Sequence, residues 1–150
     1  MQKRIYDTMW AGEMYLRQIF DYQESDPDSI EIIKHYDFEN LKKIRRRNYQ
    51  YLLEHMPREP KLKVVFEELP DHVVPSHFTF YIDRRDEVEE YLGGHGVSAT
   101  SYWPRGPMVS TENNPDADYV YDHVLSVPCD QRWTLEDMEN VCQAIRDMPF

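Results

Sequence analysis

Cysteine is nearly absent from this chain of 150 residues, occurring only at Cys129 and Cys142. Two thiols cannot build a disulfide framework, and no second pair completes a C-x-x-C or zinc pattern. Positive charge is also short, with 17 Lys and Arg against 28 Asp and Glu and a net charge of −11. A phosphate surface repels most of such a molecule, so neither duplex nucleic acid nor an anionic membrane surface is expected as a partner. No run approaches the roughly 18 consecutive apolar residues of a membrane span. The segment Met1-Gln2-Lys3-Arg4-Ile5-Tyr6-Asp7 lacks the apolar centre of a signal peptide. A reducing, cytoplasmic setting is the expectation.

What the chain does have is apolar and aromatic surface: 41% hydrophobic and 13% aromatic residues, with 11 tyrosines. That is enough to fold, and the length fits one domain. Apolar residues from Ile5 to Tyr22 recur at three- and four-residue steps and predict a helix. Glu24 to Ser29 reads as a loop, with Pro27 placed to end what precedes it. Ile30, Ile32 and Ile33 then lead into a second helix from Asp37, its cap, to Met56. Residues 1–36 are thus read as a helical segment and loop, and 37–150 as the main body.

Beyond Pro60 the texture becomes strand-like. Leu62 to Phe66 is short and β-branched, and Pro75 to Asp83 alternates Phe78, Phe80 and Ile82 against His77, Thr79 and Tyr81. Asp83 is placed to cap a helix over Arg85 to Leu92 that stops at Gly93-Gly94. A strand over Val97 to Trp103, a long polar loop through Pro115, a helical turn at Ala117 to Asp122 and a strand at Val124 to Val127 follow. The last helix opens on Thr134-x-x-Asp137, a capping-box pattern, and keeps one apolar stripe through Met148. The order predicts an α+β fold, a small, mostly antiparallel sheet with helices packed on one face.

Catalytic signatures are missing: no G-x-S-x-G, no Gly-rich phosphate loop, no H-E-x-x-H. The six histidines lack metal-ligand spacing and read as surface or structural residues, so no metal is assigned. Lys42-Lys43-Ile44-Arg45-Arg46-Arg47 points in several directions on a helix and reads as a solvated face. Gly93-Gly94-His95-Gly96 follows a helix, the wrong polarity for anion capture, and reads as a C-cap. Ser101-Tyr102-Trp103-Pro104-Arg105-Gly106 sets two aromatics and an arginine beside a long loop. Such an edge builds a ligand site, or the aromatics pack under the loop; both readings stand.

Several phrases in collinear order resemble a known family. They are Arg46-Arg47-Asn48-Tyr49-x-x-Leu52, Val74-Pro75-x-x-Phe78, Arg85-Asp86-x-x-x-x-Tyr91-Leu92, Gly94-His95-Gly96-Val97, Tyr102-Trp103-Pro104, and Leu125 through Trp133 with Asp137-Met138. Together they resemble the C-terminal small domain of the DegT/DnrJ/EryC1/StrS aminotransferases, pyridoxal-phosphate enzymes acting on keto-sugar nucleotides. The resemblance runs from about Asp37 to Met148. It implies the small α+β domain of a fold type I enzyme, which covers one side of an active site, and homodimers with sites at subunit interfaces.

In that family the Schiff-base lysine, the aspartate on the pyridine nitrogen and the phosphate cup belong to a large domain, whose segments are not in this chain. The resemblance therefore implies no catalytic residue and no cofactor held by this chain alone, with a pyridoxal-phosphate-binding large domain as partner in cis or in trans. It also implies that Tyr102, Trp103 and Arg105 line the edge of the substrate pocket, although Tyr-Trp-Pro stands where the family commonly has histidine-tyrosine. The docking surface is expected along Met9, Trp10, Met14 and the Tyr102-Trp103 edge. The competing reading is a free-standing, non-enzymatic interaction module that uses the same surface.

Overall fold

The computed structural model describes residues 2–19, 24–58, 60–102, 110, 112 and 114–149, and their side chains except those of residues 2–7 and 9. The chain divides into two compact units, Met1–Asp37 and Phe38–Phe150.

The first unit holds two helices, α1 (Gln2–Ile19) and α2 (Pro27–His35). The second corrects the expected loop. Pro27 to Ser29, read as loop, open a helix, because the fixed φ and missing N–H of Pro27 suit the first helical position. Asp26 is the N-cap, its carboxylate accepting from the Ser29 backbone N–H at 2.9 Å and from the Ser29 hydroxyl at 2.6 Å. These contacts hold the Asp26 carboxyl below its ordinary pKa. Apolar side chains on both helices stay in water: Trp10, Tyr15 and Leu16 on α1, Ile32 and Ile33 on α2.

The second unit carries α3 (Phe38–His55), β1 (Lys63–Val64), β2 (His77–Tyr81), α4 (Arg85–Gly94), α5 (Pro115–His123), β3 (Val124–Pro128) and α6 (Leu135–Arg146). The strands form an antiparallel sheet in the order β1-β2-β3, with Phe80 opposite Leu125 and Phe78 opposite Val127. Those four side chains are fully buried and join Leu52 of α3, Val88 and Leu92 of α4, and Met138, Cys142 and Ile145 of α6 in one core. The α+β class stands as expected. The short α5 lies over the other face, its Tyr119 ring against Tyr81 of β2 at 5.2 Å.

Each helix end has a local cause. The Thr134–Asp137 capping box forms as read, with Oγ1 of Thr134 accepting from Asp137 N–H at 3.2 Å. The Asp83 cap does not form: Arg84 occupies the N-cap of α4 in left-handed backbone, φ 54°, without a side-chain cap, and its guanidinium pairs with Glu87. Helix α4 runs through Gly93 and Gly94, which were expected to stop it, and closes at His95 and Gly96. Gly96 at φ 76° lets Val97 N–H reach back to Leu92 C=O at 2.9 Å.

Four histidines bond back to a carbonyl in the last turn of their helix. His55, His95 and His123 each place Nδ1 2.8 Å from the carbonyl of a tyrosine four residues earlier, Tyr51, Tyr91 and Tyr119. The imidazole and tyrosine rings of each pair lie about 4 Å apart. His35 makes the same bond to Glu31 C=O at 3.0 Å. At α4 the Tyr91 carbonyl also accepts the His95 backbone N–H at 3.2 Å, so the ring is a second partner on that oxygen.

Candidate functional site

Arg45 and Arg46 of α3 depart from the solvated reading of the basic cluster, while Lys42, Lys43 and Arg47 stay exposed as read. Arg46 donates to the carbonyls of Pro70 at 2.7 Å, Asp71 at 3.2 Å and Val73 at 2.6 Å, gathering the loop between β1 and β2 onto the helix. Arg45 Nε donates to Gln131 at 2.7 Å, and the buried Asn48 amide donates to Asp130 C=O at 3.1 Å and Trp133 C=O at 2.9 Å. One helix edge therefore pins the turn between β3 and α6. In that turn Asp130 accepts twice from the Arg132 guanidinium, at 2.9 and 2.7 Å, and once from its backbone N–H at 3.0 Å. Those bonds pull the Asp130 carboxyl down to about 2.

With the turn fixed, the outer face of the sheet opens onto a groove of about 1030 Å³ lined by Phe66, His77, Thr79, Tyr102, Val120 and Ser126 among others. Strand alternation sends His77 and Thr79 to this face because Phe78 and Phe80 are taken by the core. Thr79 Oγ1 and Ser126 Oγ meet across the strands at 2.9 Å. Thr100 bridges to Ser126 through both backbone bonds, N–H to C=O at 2.9 Å and the reverse at 3.1 Å. This bridge is the part of the expected 97–103 strand that forms among the described residues.

Two residues beyond the bridge, Tyr102 enters the groove and its hydroxyl lies 2.7 Å from His77 Nε2, the rings edge-on at 4.9 Å. His77 Nδ1 lies 2.9 Å from Ser76 Oγ. Burial pushes the His77 pKa below its ordinary value.

Of the three expected pocket-edge residues, the structure thus sets Tyr102 on the groove, 46% exposed. Trp103 and Arg105 lie outside the described residues. Of the expected docking residues, Trp10 is exposed and Met14 half-buried, while the Met9 side chain lies outside the described ones. His77, Thr79 and Ser126 were not singled out as site residues; the alternation put His77 and Thr79 on one face, but nothing in the sequence joins His77 to Tyr102. Among the described residues no three His, Cys, Asp or Glu side chains gather as metal ligands, and no helix is long and apolar enough to cross a membrane.

No protein-family model matches the chain, and no curated protein matches it. Solved structures do. A sugar aminotransferase from Micromonospora echinospora superposes with a TM-score of 0.62 at 18% identity, over 75% of this chain and 32% of that one. This chain has the fold of part of a sugar aminotransferase.

A DegT DnrJ EryC1 StrS aminotransferase from Brucella abortus matches with a TM-score of 0.53 at 18% identity, over 79% of this chain and 32% of its own. The E. coli GDP-4-keto-6-deoxy-D-mannose-3-dehydratase, solved with bound hydrated PLP, matches at 0.55 and 20%, over 77% and 33%. The chain spans about a third of the length of each of these structures.

Pyridoxal phosphate needs a desolvated lysine amine and an acidic partner for its ring nitrogen. The described lysines do not fit. Lys34 and Lys42 pair with Glu31 and Glu39 on exposed helix faces, and the Lys61 ammonium donates to the carbonyls of Arg146 at 2.8 Å and Met148 at 3.1 Å. Lys43 and Lys63 are exposed, and none of these five lines the groove.

Proposed function

We propose that this chain acts as the C-terminal small domain of a pyridoxal-phosphate-dependent aminotransferase for keto-sugar nucleotides. In this reading it covers an active site whose cofactor sits in a large domain, in cis or in trans, and does not transaminate alone. What supports it is the match of about three quarters of this chain to a third of several such enzymes. The groove under Tyr102 is the surface it would turn toward substrate, and the family's homodimer and cytoplasmic setting belong to the same reading.

The alternative, a non-enzymatic interaction module, draws on the apolar side chains left in water on α1 and α2, where Ile32 is 65% exposed. Titration with pyridoxal phosphate, followed by borohydride reduction and mass spectrometry, separates catalytic from non-catalytic readings. No visible aldimine band and no site-specific adduct are expected from the folded chain. A stoichiometric adduct on one lysine overturns both. Co-expression with the large domain of a sugar aminotransferase then separates the two: a stoichiometric complex favours the covering domain.

A further inference from the structure

We infer that His77 sets the hydrogen-bonding sense of Tyr102 toward whatever occupies the outer-face groove, as an acceptor while the imidazole is neutral and as a donor once it is protonated. This assigns His77 as a positioning residue acting through Tyr102.

The argument starts from proton counting. Nε2 of His77 faces the Tyr102 hydroxyl at 2.7 Å and Nδ1 faces the Ser76 hydroxyl at 2.9 Å. A neutral imidazole has one donor and one acceptor, and a hydroxyl can serve either role. Two arrangements satisfy both contacts. A phenol is a stronger acid than an alkyl hydroxyl and a poorer acceptor, so the favoured one has Tyr102 O–H donating to Nε2 while Nδ1–H donates to Ser76 Oγ. The phenol proton is then committed, and Tyr102 offers the groove only lone pairs. Protonation puts a hydrogen on both ring nitrogens. Nε2–H must donate to the phenol oxygen, and the Tyr102 proton turns to the groove.

The backbone leaves the pair little freedom to avoid this choice. His77 opens β2 opposite Pro128, and Ser76 C=O accepts from Cys129 N–H at 3.0 Å. Tyr102 follows Thr100, which is held to Ser126 on both sides of its peptide. Both rings are thus anchored to one sheet.

The charged groups acting on His77 come from two neighbouring elements. Asp130, in the turn after β3, favours the protonated ring; Arg132 of the same turn and Arg45 of α3 oppose it. Burial is the largest influence and favours the neutral ring, so the acceptor state is the one held near pH 7. In that state the groove selects a ligand hydroxyl or amine at Tyr102. A carbonyl or phosphate oxygen is accepted there only at lower pH. This holds whatever ligand the groove takes and does not rest on the aminotransferase reading.

The test is NMR on the full chain with ¹⁵N histidine and ¹³Cζ tyrosine, using Tyr102→Phe to assign the Tyr102 signal. At pH 7.5 His77 is expected as the Nδ1–H tautomer, the reverse of the form neutral imidazole prefers in water. On acidification the Tyr102 Cζ signal is expected to move with the His77 midpoint, below 6.5, and to stay flat in His77→Gln. An Nε2–H tautomer in the native chain, or a Tyr102 signal that ignores the His77 titration, overturns the inference. Should His77→Gln fail to fold, Tyr102→Phe decides: loss of the phenol must return His77 toward Nε2–H, and an unchanged tautomer overturns the assignment.

Discussion

Successive residues of β2 part to opposite faces of the sheet and meet different surroundings. Phe78 and Phe80 are wholly buried against three helices, while His77, Thr79 and Tyr81 stay half-buried, the first two over an open groove. On the inner face stability comes chiefly from apolar area removed from water. On the outer face neighbouring groups settle into pairs, Thr79 with Ser126, His77 with Tyr102 and Tyr81 with Tyr119. The lesson is a division of labour by parity. Even-numbered β2 positions hold the fold, and odd-numbered ones are free to carry chemistry.

The contrast breaks first at the largest effect. Phe80→Ala removes a fully buried ring from the centre of the core and is expected to cost about 3–5 kcal/mol by urea unfolding. A cost under about 1 kcal/mol means the inner face is not the packed one. Next comes Asn48, whose buried amide ties α3 to the β3–α6 turn through two carbonyls. Asn48→Ala leaves both carbonyls short of a donor and is expected to cost about 2–3 kcal/mol. An unchanged urea midpoint shows that the β3–α6 turn holds itself.

A pH measurement sharpens the same point. The Asp130 carboxyl titrates at about 2 when folded against an ordinary value of 3.8, a depressed pKa. Its contribution is therefore present above the unfolded value and lost as pH falls from about 4 through about 2. That shift corresponds to about 2 kcal/mol at neutral pH. Asp130→Asn should lose that amount at pH 7, and its stability should converge with that of the native chain as pH falls to 2. A constant gap between the two from pH 7 to pH 2 means that the Arg132 contact does not depend on the carboxylate charge.

These same residues show how far the sequence could be read. The parity of β2 was legible because Phe78, Phe80 and Ile82 alternate strictly with polar and aromatic residues. The start of α6 was legible because a capping box is a local pattern spanning four residues. The helix start at Pro27 was missed because proline can stand after one helix or open the next, and only the Asp26 cap decides which. Arg45, Arg46 and Asn48 find partners 23 to 86 residues away, so no local pattern could assign them. Tyr102 was picked out as an aromatic beside a loop. Its partner His77 lies 25 residues earlier and meets it only because both are tied to the sheet.

The smallest expected effect is the most discriminating for the outer face. Thr79→Val keeps the shape and β-branching of the side chain but removes Oγ1, leaving the nearly buried Ser126 hydroxyl without its cross-strand partner. If the groove is solvated in the isolated chain, water replaces that partner and the cost stays at about 0.5–1.5 kcal/mol. Pairing the change with Ser126→Ala in a double-mutant cycle should recover a coupling of about 0.2–1 kcal/mol, the ordinary worth of a cross-strand pair. A stabilising Thr79→Val would carry a different message. It would mean that the outer face already prefers apolar surface, as a face adapted to lie against another protein does, and would favour the interaction module over a face adapted to bind a polar ligand.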